Sequence, residues 1–289
     1  MSLLQKYAEV SWLDGQNIRP YLFVRKDNRT QNPGSVHALD WFPFKPVYMD
    51  PLKMSHVGFA NQILKMEHKA FGSTGMAMPR WVFYDCAIMP GFVAGFAHRT
   101  QTLPEAFRKV IEVDEQLEWT PISLFIIIPA RREGEWVAHN LSSINALIER
   151  QDRLYGLGFL TKAFGLWFAN IETLCGMTQW NSPALRLHTY YGPFEILTAY
   201  TPVHSYPQTL TYRSQVTPSH WHLFFKHTEP ADFSVHFEET GFILDPQKES
   251  SLKQLQLKIE NQEGPFYLNP KEVKSRPLDA PLKIYRKKA

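Results

Sequence analysis

Lys162 is the residue whose surroundings most invite chemistry. It stands between Thr161 and the run Ala163-Phe164-Gly165-Leu166. Such an apolar neighbourhood desolvates an ammonium, lowers its pKa and leaves a neutral amine able to form a Schiff base. The competing reading is a lysine on a helix starting at Phe159 that extends its amine to water along an apolar stem. A second constellation is the histidine group His188, His204, His220, His222, His227 and His236. If 221–227 is a strand, His220 and His222 share a face and could bind a metal together with Glu238, but a His-x-His in an aromatic-rich strand is more commonly a satisfied polar pair. The third is Arg153-Leu154-Tyr155-Gly156-Leu157-Gly158. Placed before a helix, its backbone amides could cradle a pyrophosphate.

The elements that must position these groups read as mixed and strand-rich. Residues 52–71 carry apolar side chains near helical spacing and end at Gly72, which predicts one amphipathic helix. Runs at 80–89 and 92–98, separated by Pro90-Gly91, predict a hairpin, and Thr100 or Thr102 with Pro104 and Glu105 predicts a helix over 102–113. The unbroken apolar run around Ile126-Ile127-Ile128 predicts a strand covered on both faces. Residues 159–171 suit a helix. Residues 185–189 and 194–200, joined through Tyr190-Tyr191-Gly192-Pro193, predict a second hairpin, and 210–216, 221–227, 233–237 and 252–259 continue as strands between prolines. Turn chemistry at 31–34 and an aromatic patch at 41–48 suggest extended arms near the start.

Composition sets the class. At 289 residues, with 44% hydrophobic and 20% charged residues, the chain is globular and long enough for a sizeable core. A net charge of +3, with basic residues dispersed except at Arg286-Lys287-Lys288, gives no surface that would track a phosphate backbone. Only Cys86 and Cys175 are present, so neither a four-cysteine zinc site nor a disulfide framework is available. No apolar run approaches the ~20 residues of a membrane span, and residues 1–10 lack an export signal. The expectation is a cytoplasmic protein with no cofactor and no metal, acting on a small-molecule substrate, without nucleic-acid or membrane partners, and with self-association left open.

Two family resemblances refine this. Residues 92–129 are similar to the opening of acetoacetate decarboxylase and its relatives: a strand ending in His98-Arg99-Thr100, a helix with Ala106-Phe107-Arg108-Lys109-Val110-Ile111, then a strand ending at Pro129. Residues 154–165 resemble the segment that holds that family's Schiff-base lysine, and 188–204 its following hairpin. The resemblance implies Lys162 as nucleophile, Glu135 as the candidate for the family's catalytic strand glutamate, and Arg99, His188 and Tyr191 as substrate-binding residues. Ala163 stands where the family has a second lysine, so burial alone must lower the amine's pKa. The other resemblance is to the acetyl-CoA-dependent N-acetyltransferases. Arg153 to Gly158 resembles their phosphate loop, and Asn181, Ala184 and Gly192 fall at their offsets, with His188 where tyrosine is usual.

The expected fold is therefore α+β, a curved antiparallel sheet or barrel of the acetoacetate decarboxylase type with a few covering helices. Residues 1–79 form an N-terminal appendage with one helix, and 80–289 the β-rich main domain. The expected activity is that of a carbonyl or keto-acid lyase working through Lys162. The alternatives are an acyl-CoA-dependent N-acetyltransferase using Arg153, Gly156 and Gly158, and a non-catalytic small-ligand-binding barrel.

Overall fold

The computed structural model describes residues 10–27, 45–72, 75–89, 91–218, 221–226, 228–230 and 232–288. The turn expected at 31–34, the start of the aromatic patch at 41–44, and Pro90 lie outside the described residues. The chain divides into two compact units, Met1–Ile171 and Glu172–Ala289.

The first unit is built on strands β1 (Ile18–Phe23), β2 (Val47–Met49), β3 (Phe92–Arg99), β4 (Trp119–Pro121), β5 (Ser123–Pro129) and β6 (Glu135–Ser143). Their order is β6-β5-β3-β1-β2, with β4 beside β3. All pairs are antiparallel except β1 with β2. The expected two-face burial of 123–129 is found: β5 lies between β3 and β6, and Leu124 to Ile127 are fully buried. Between Ile126 and Ile127 the register to β6 slips by one, leaving His139 as the extra residue of a bulge.

Among the described residues, three helices of this unit bear on its sheet and core. Helix α1 (Val57–Phe71) buries Phe59, Ala60, Ile63, Leu64 and Met66, the stripe that its periodicity predicts. Its buried Gln62 and Glu67 are both satisfied. Gln62 donates to the Ile111 carbonyl at 3.0 Å and accepts from the Asp114 amide at 3.1 Å, while Glu67 accepts from the Met78 amide and from Asn140. Helix α2 (Glu105–Ile111) ends in Glu112, whose φ of 48° is left-handed. Helix α3 (Leu157–Phe168) lies on the sheet. Thr161 donates to Ser123 Oγ at 2.7 Å, Phe168 meets Phe92 edge-on at 4.9 Å, and a Cβ on Gly165 would stand 2.5 Å from Ile127 Cδ1.

The second unit has strands β7 (Thr173–Gln179), β8 (Phe194–Thr198), β9 (Thr209–Gln215), β10 (Phe237–Leu244), β11 (Phe266–Leu268) and β12 (Leu282–Lys287). They run in the order β10-β12-β11-β8-β9-β7, every pair antiparallel. Helices α4 (Pro183–His188), α5 (His222–Lys226), α6 (Phe233–His236), α7 (Glu249–Glu260) and α8 (Pro270–Ser275) complete it. The core gathers Trp180, Leu185, Phe194, Tyr212, Leu252 and Ile284.

The α+β class stands, but the barrel does not. Among the described residues, the strand path returns on itself in neither unit. β10 alternates half-buried and exposed residues between buried ends and carries Glu238 and Glu239, paired back to Arg286 and Lys283, which is how an open sheet protects a margin. Five strand expectations are also replaced by helix, the one over 233–237 by α6 (Phe233–His236). Residues 80–88 form a short helical segment with a π turn, 183–188 form α4, 222–226 form α5 and 249–260 form α7. For α4 the reason is capping: Ser182 accepts from the Ala184 amide at 3.2 Å and Pro183 fills the first helical position. No helix among the described residues is long and apolar enough to cross a membrane.

Candidate functional site

The connection from β6 to α3 is the part of the first unit shaped for a ligand. Gly156 caps α3 with φ 76° and ψ 2°, a left-handed turn that a residue with a Cβ enters at a cost. The turn closes with the Leu157 amide donating to the Leu154 carbonyl at 3.1 Å, and the Leu160 amide then returns to the Gly156 carbonyl at 2.9 Å as the first regular helical bond. Position alone leaves the Gly158 amide without an acceptor inside the helix, and the partial positive end of a 12-residue helix is centred there. Gly158 also offers no side chain to keep an oxyanion away.

Two side chains fix this loop. Asn145 donates to the Leu154 carbonyl at 2.7 Å and accepts from the Leu154 amide at 2.9 Å, so one amide group replaces a strand partner on both sides. Arg153 anchors through Nε to the Ile148 carbonyl at 3.3 Å. Its two terminal nitrogens make no hydrogen bond among the described residues, and its side chain is exposed. A forked cation five residues ahead of a helix-opening backbone amide is the kind of donor set that a phosphate needs. Sequence reading found Arg153, Gly156 and Gly158 but missed Asn145. The available signal was an asparagine in a polar connection just ahead of a glycine-opened helix. Replacing Asn145 with alanine is expected to lower stability by about 1–3 kcal/mol through the orphaned Leu154 groups, measured by urea unfolding.

The other predicted residues are placed as follows. Lys162 sits on α3, fully buried, and burial pushes its amine well below the usual lysine value. Snorkelling to water is thus excluded. Glu135 begins β6 in the tight turn where its amide donates to the Arg132 carbonyl and its carbonyl accepts from Ala130. Arg99 ends β3 with its guanidinium 4.9 Å from the Trp119 ring and 3.6 Å from Glu118. His188 and Tyr191 belong to the second unit and converge on Tyr212. His188, on α4, stacks on that ring at 5.2 Å, and Tyr191 is fully buried, its phenol pushed well above its ordinary value by burial and by Tyr212. Asn181 borders a hollow of about 320 Å³ with Gln179, Tyr200 and Tyr206. His220 and His227, and the side chain of His222, lie outside the described residues; among the described ones no cluster could hold a metal ion.

The chain matches no protein-family model and no curated protein. Among solved structures it is similar to a protein assigned as an acyl-CoA N-acyltransferase from Klebsiella pneumoniae, 17% identical over 58% of this chain and 93% of that one, with a TM-score of 0.32. It is also similar to a protein assigned as an N-acetyltransferase from Lactobacillus plantarum, 10% identical over 70% of this chain and 100% of that one, TM-score 0.36. A third is the NatC complex bound to Gag peptide and CoA, 14% identical over 58% of this chain and 96% of that one, TM-score 0.37. No acetoacetate decarboxylase relative is among these structures, and that resemblance is corrected on the open sheet. Among the described residues the strand path closes into a barrel in neither unit, which removes the fold that the resemblance implied. The Schiff-base lyase activity read onto Lys162 is withdrawn with it.

Proposed function

We propose that the chain is an acyl-CoA-dependent N-acetyltransferase whose 153–158 loop takes the coenzyme's pyrophosphate. The observation that carries this reading is the left-handed Gly156 turn, which opens α3, with Arg153 three residues ahead of it tied by Nε to the Ile148 carbonyl and its side chain exposed. The residues fit the group. An anion at this helix end meets backbone donors that need no further ordering, because Asn145 already holds the turn on both sides. The spacing Arg153-x-x-Gly156-x-Gly158, followed by Asn181-x-x-Ala184, supports the same reading. Coenzyme A when bound supplies an acyl group activated as a thioester. Arg153 binds by charge and by paired donors, and the two glycines keep the approach to the backbone open.

Calorimetric titration of the full chain with CoA is expected to give saturable binding with one site per chain. Arg153→Ala is expected to weaken it about tenfold, the loss of a charge-assisted contact worth about 1.4 kcal/mol. No saturable heat with CoA, or unchanged affinity in the variant, sinks the proposal.

A further inference from the structure

The second unit contains a cavity of about 380 Å³ that none of the residues of the 153–158 loop lines. Its body is apolar, formed in part by Tyr190, Phe233, Phe237 and Leu268. These walls are held rigidly. Phe233 stacks on Phe237 at 4.6 Å and meets Tyr285 edge-on at 5.3 Å, and Phe237 lies 4.8 Å from Tyr267. A preformed aromatic pocket of this size suits a ligand of one or two rings.

The charges on its lining are uneven. Lys287 and Lys288 both line it, and the lining carboxylate is Asp232, whose oxygen is 3.8 Å from His236 Nε2. The acid therefore faces an imidazole. Lys288 is fixed in place: its amide donates to the His236 carbonyl at 2.9 Å and its ammonium to the Ser234 carbonyl at 2.7 Å. The Lys287 ammonium lies over the Tyr267 ring at 5.9 Å. Two exposed ammonium groups at the edge of an apolar hollow complement a ligand with an apolar body and one negative end.

We infer that this cavity binds a compact aryl carboxylate, with the ring among Tyr190, Phe233 and Phe237 and the carboxylate against Lys287 and Lys288. Two lining ammonium groups against one lining carboxylate favour an anion over a cation of the same shape, so charge sign is the discriminating property.

The test pairs two isosteric probes, 2-naphthoate and 2-naphthylmethylamine, titrated into the full chain by calorimetry. Naphthoate is expected to bind at one site per chain, and the amine at least about tenfold more weakly. The double variant Lys287→Gln, Lys288→Gln changes two exposed side chains and leaves the core untouched, so it folds. It is expected to lose about tenfold in naphthoate affinity with little change toward the amine. Equal binding of the two probes, unchanged naphthoate affinity in the double variant, or no saturable naphthoate binding overturns the inference. Since the cavity and the 153–158 loop share no residue, a failure here leaves CoA binding to be decided by its own titration.

Discussion

Gly192→Ala is expected to lower stability by more than about 4 kcal/mol, the range reserved for changes the native structure cannot absorb. Gly192 has φ 153°, in the positive region that L residues rarely adopt, and a Cβ built there would stand 1.6 Å from the Gln215 carbonyl oxygen and 2.8 Å from its carbon. The obstacle is backbone. Gln215 ends β9 in register with Thr173 of β7, and just beyond it the Thr217 amide donates to the Tyr191 carbonyl at 2.7 Å. For the carbonyl to retreat, this ladder end has to open, so strain and lost hydrogen bonds add. A control is Gly72, at φ −60° with nothing within 4 Å of a built Cβ. Gly72→Ala is expected to be neutral or to stabilise by about 0.4–1 kcal/mol, because it restricts the unfolded chain. Urea unfolding followed by tryptophan fluorescence measures both. A Gly192→Ala protein within 1 kcal/mol of the wild type, on the scale of ordinary surface changes, would show that the turn relaxes.

The parts of this fold legible in the sequence are those where one periodicity dominates. The stripe Phe59-Ile63-Met66 can only be a helix face, and Ile126-Ile127-Ile128 is apolar throughout because β5 is covered on both sides. The illegible parts are helices whose sequence alternates like a strand or whose apolar stripe is thin. Residues 183–188 alternate like a strand, but Ser182 and Pro183 start a helix there before the alternation can matter. Residues 249–260 bury only Leu252 and Leu255, three apart, a helical spacing that the polar composition of the segment obscured. The site was half legible for a related reason. Glycines that need a left-handed turn are visible as residue types, so Gly156 and Gly158 could be named. The Asn145 clamp acts across nine residues of loop, and nothing in local spacing reports which backbone groups an asparagine will reach.

Lys162 was legible as an oddity, a cation among apolar neighbours, and its physical consequence is a pH-dependent stability. Lys162→Met is expected to raise stability at pH 7 by about 1–4 kcal/mol, the range seen when buried charged groups give way to apolar ones of similar volume. Burial holds the folded-state amine well below its ordinary value of 10.5, so between the two values the unfolded chain binds a proton that the folded chain does not. Stability therefore rises with pH through that window and levels off above about 10.5, where both states are neutral. At neutral pH unfolding is favoured by protonation of the released lysine. A neutral hydrogen bond to the buried amine contributes about 1 kcal/mol, less than the several kcal/mol that desolvating an ammonium costs. Methionine keeps the unbranched shape and removes the titration. Urea unfolding of both proteins from pH 7 to pH 10 should show the wild type gaining stability as pH rises, with the variant flatter and above it at neutral pH. Parallel profiles, or a variant less stable than the wild type, would mean that the amine is protonated and well paired inside the fold, and that desolvation does not govern this position.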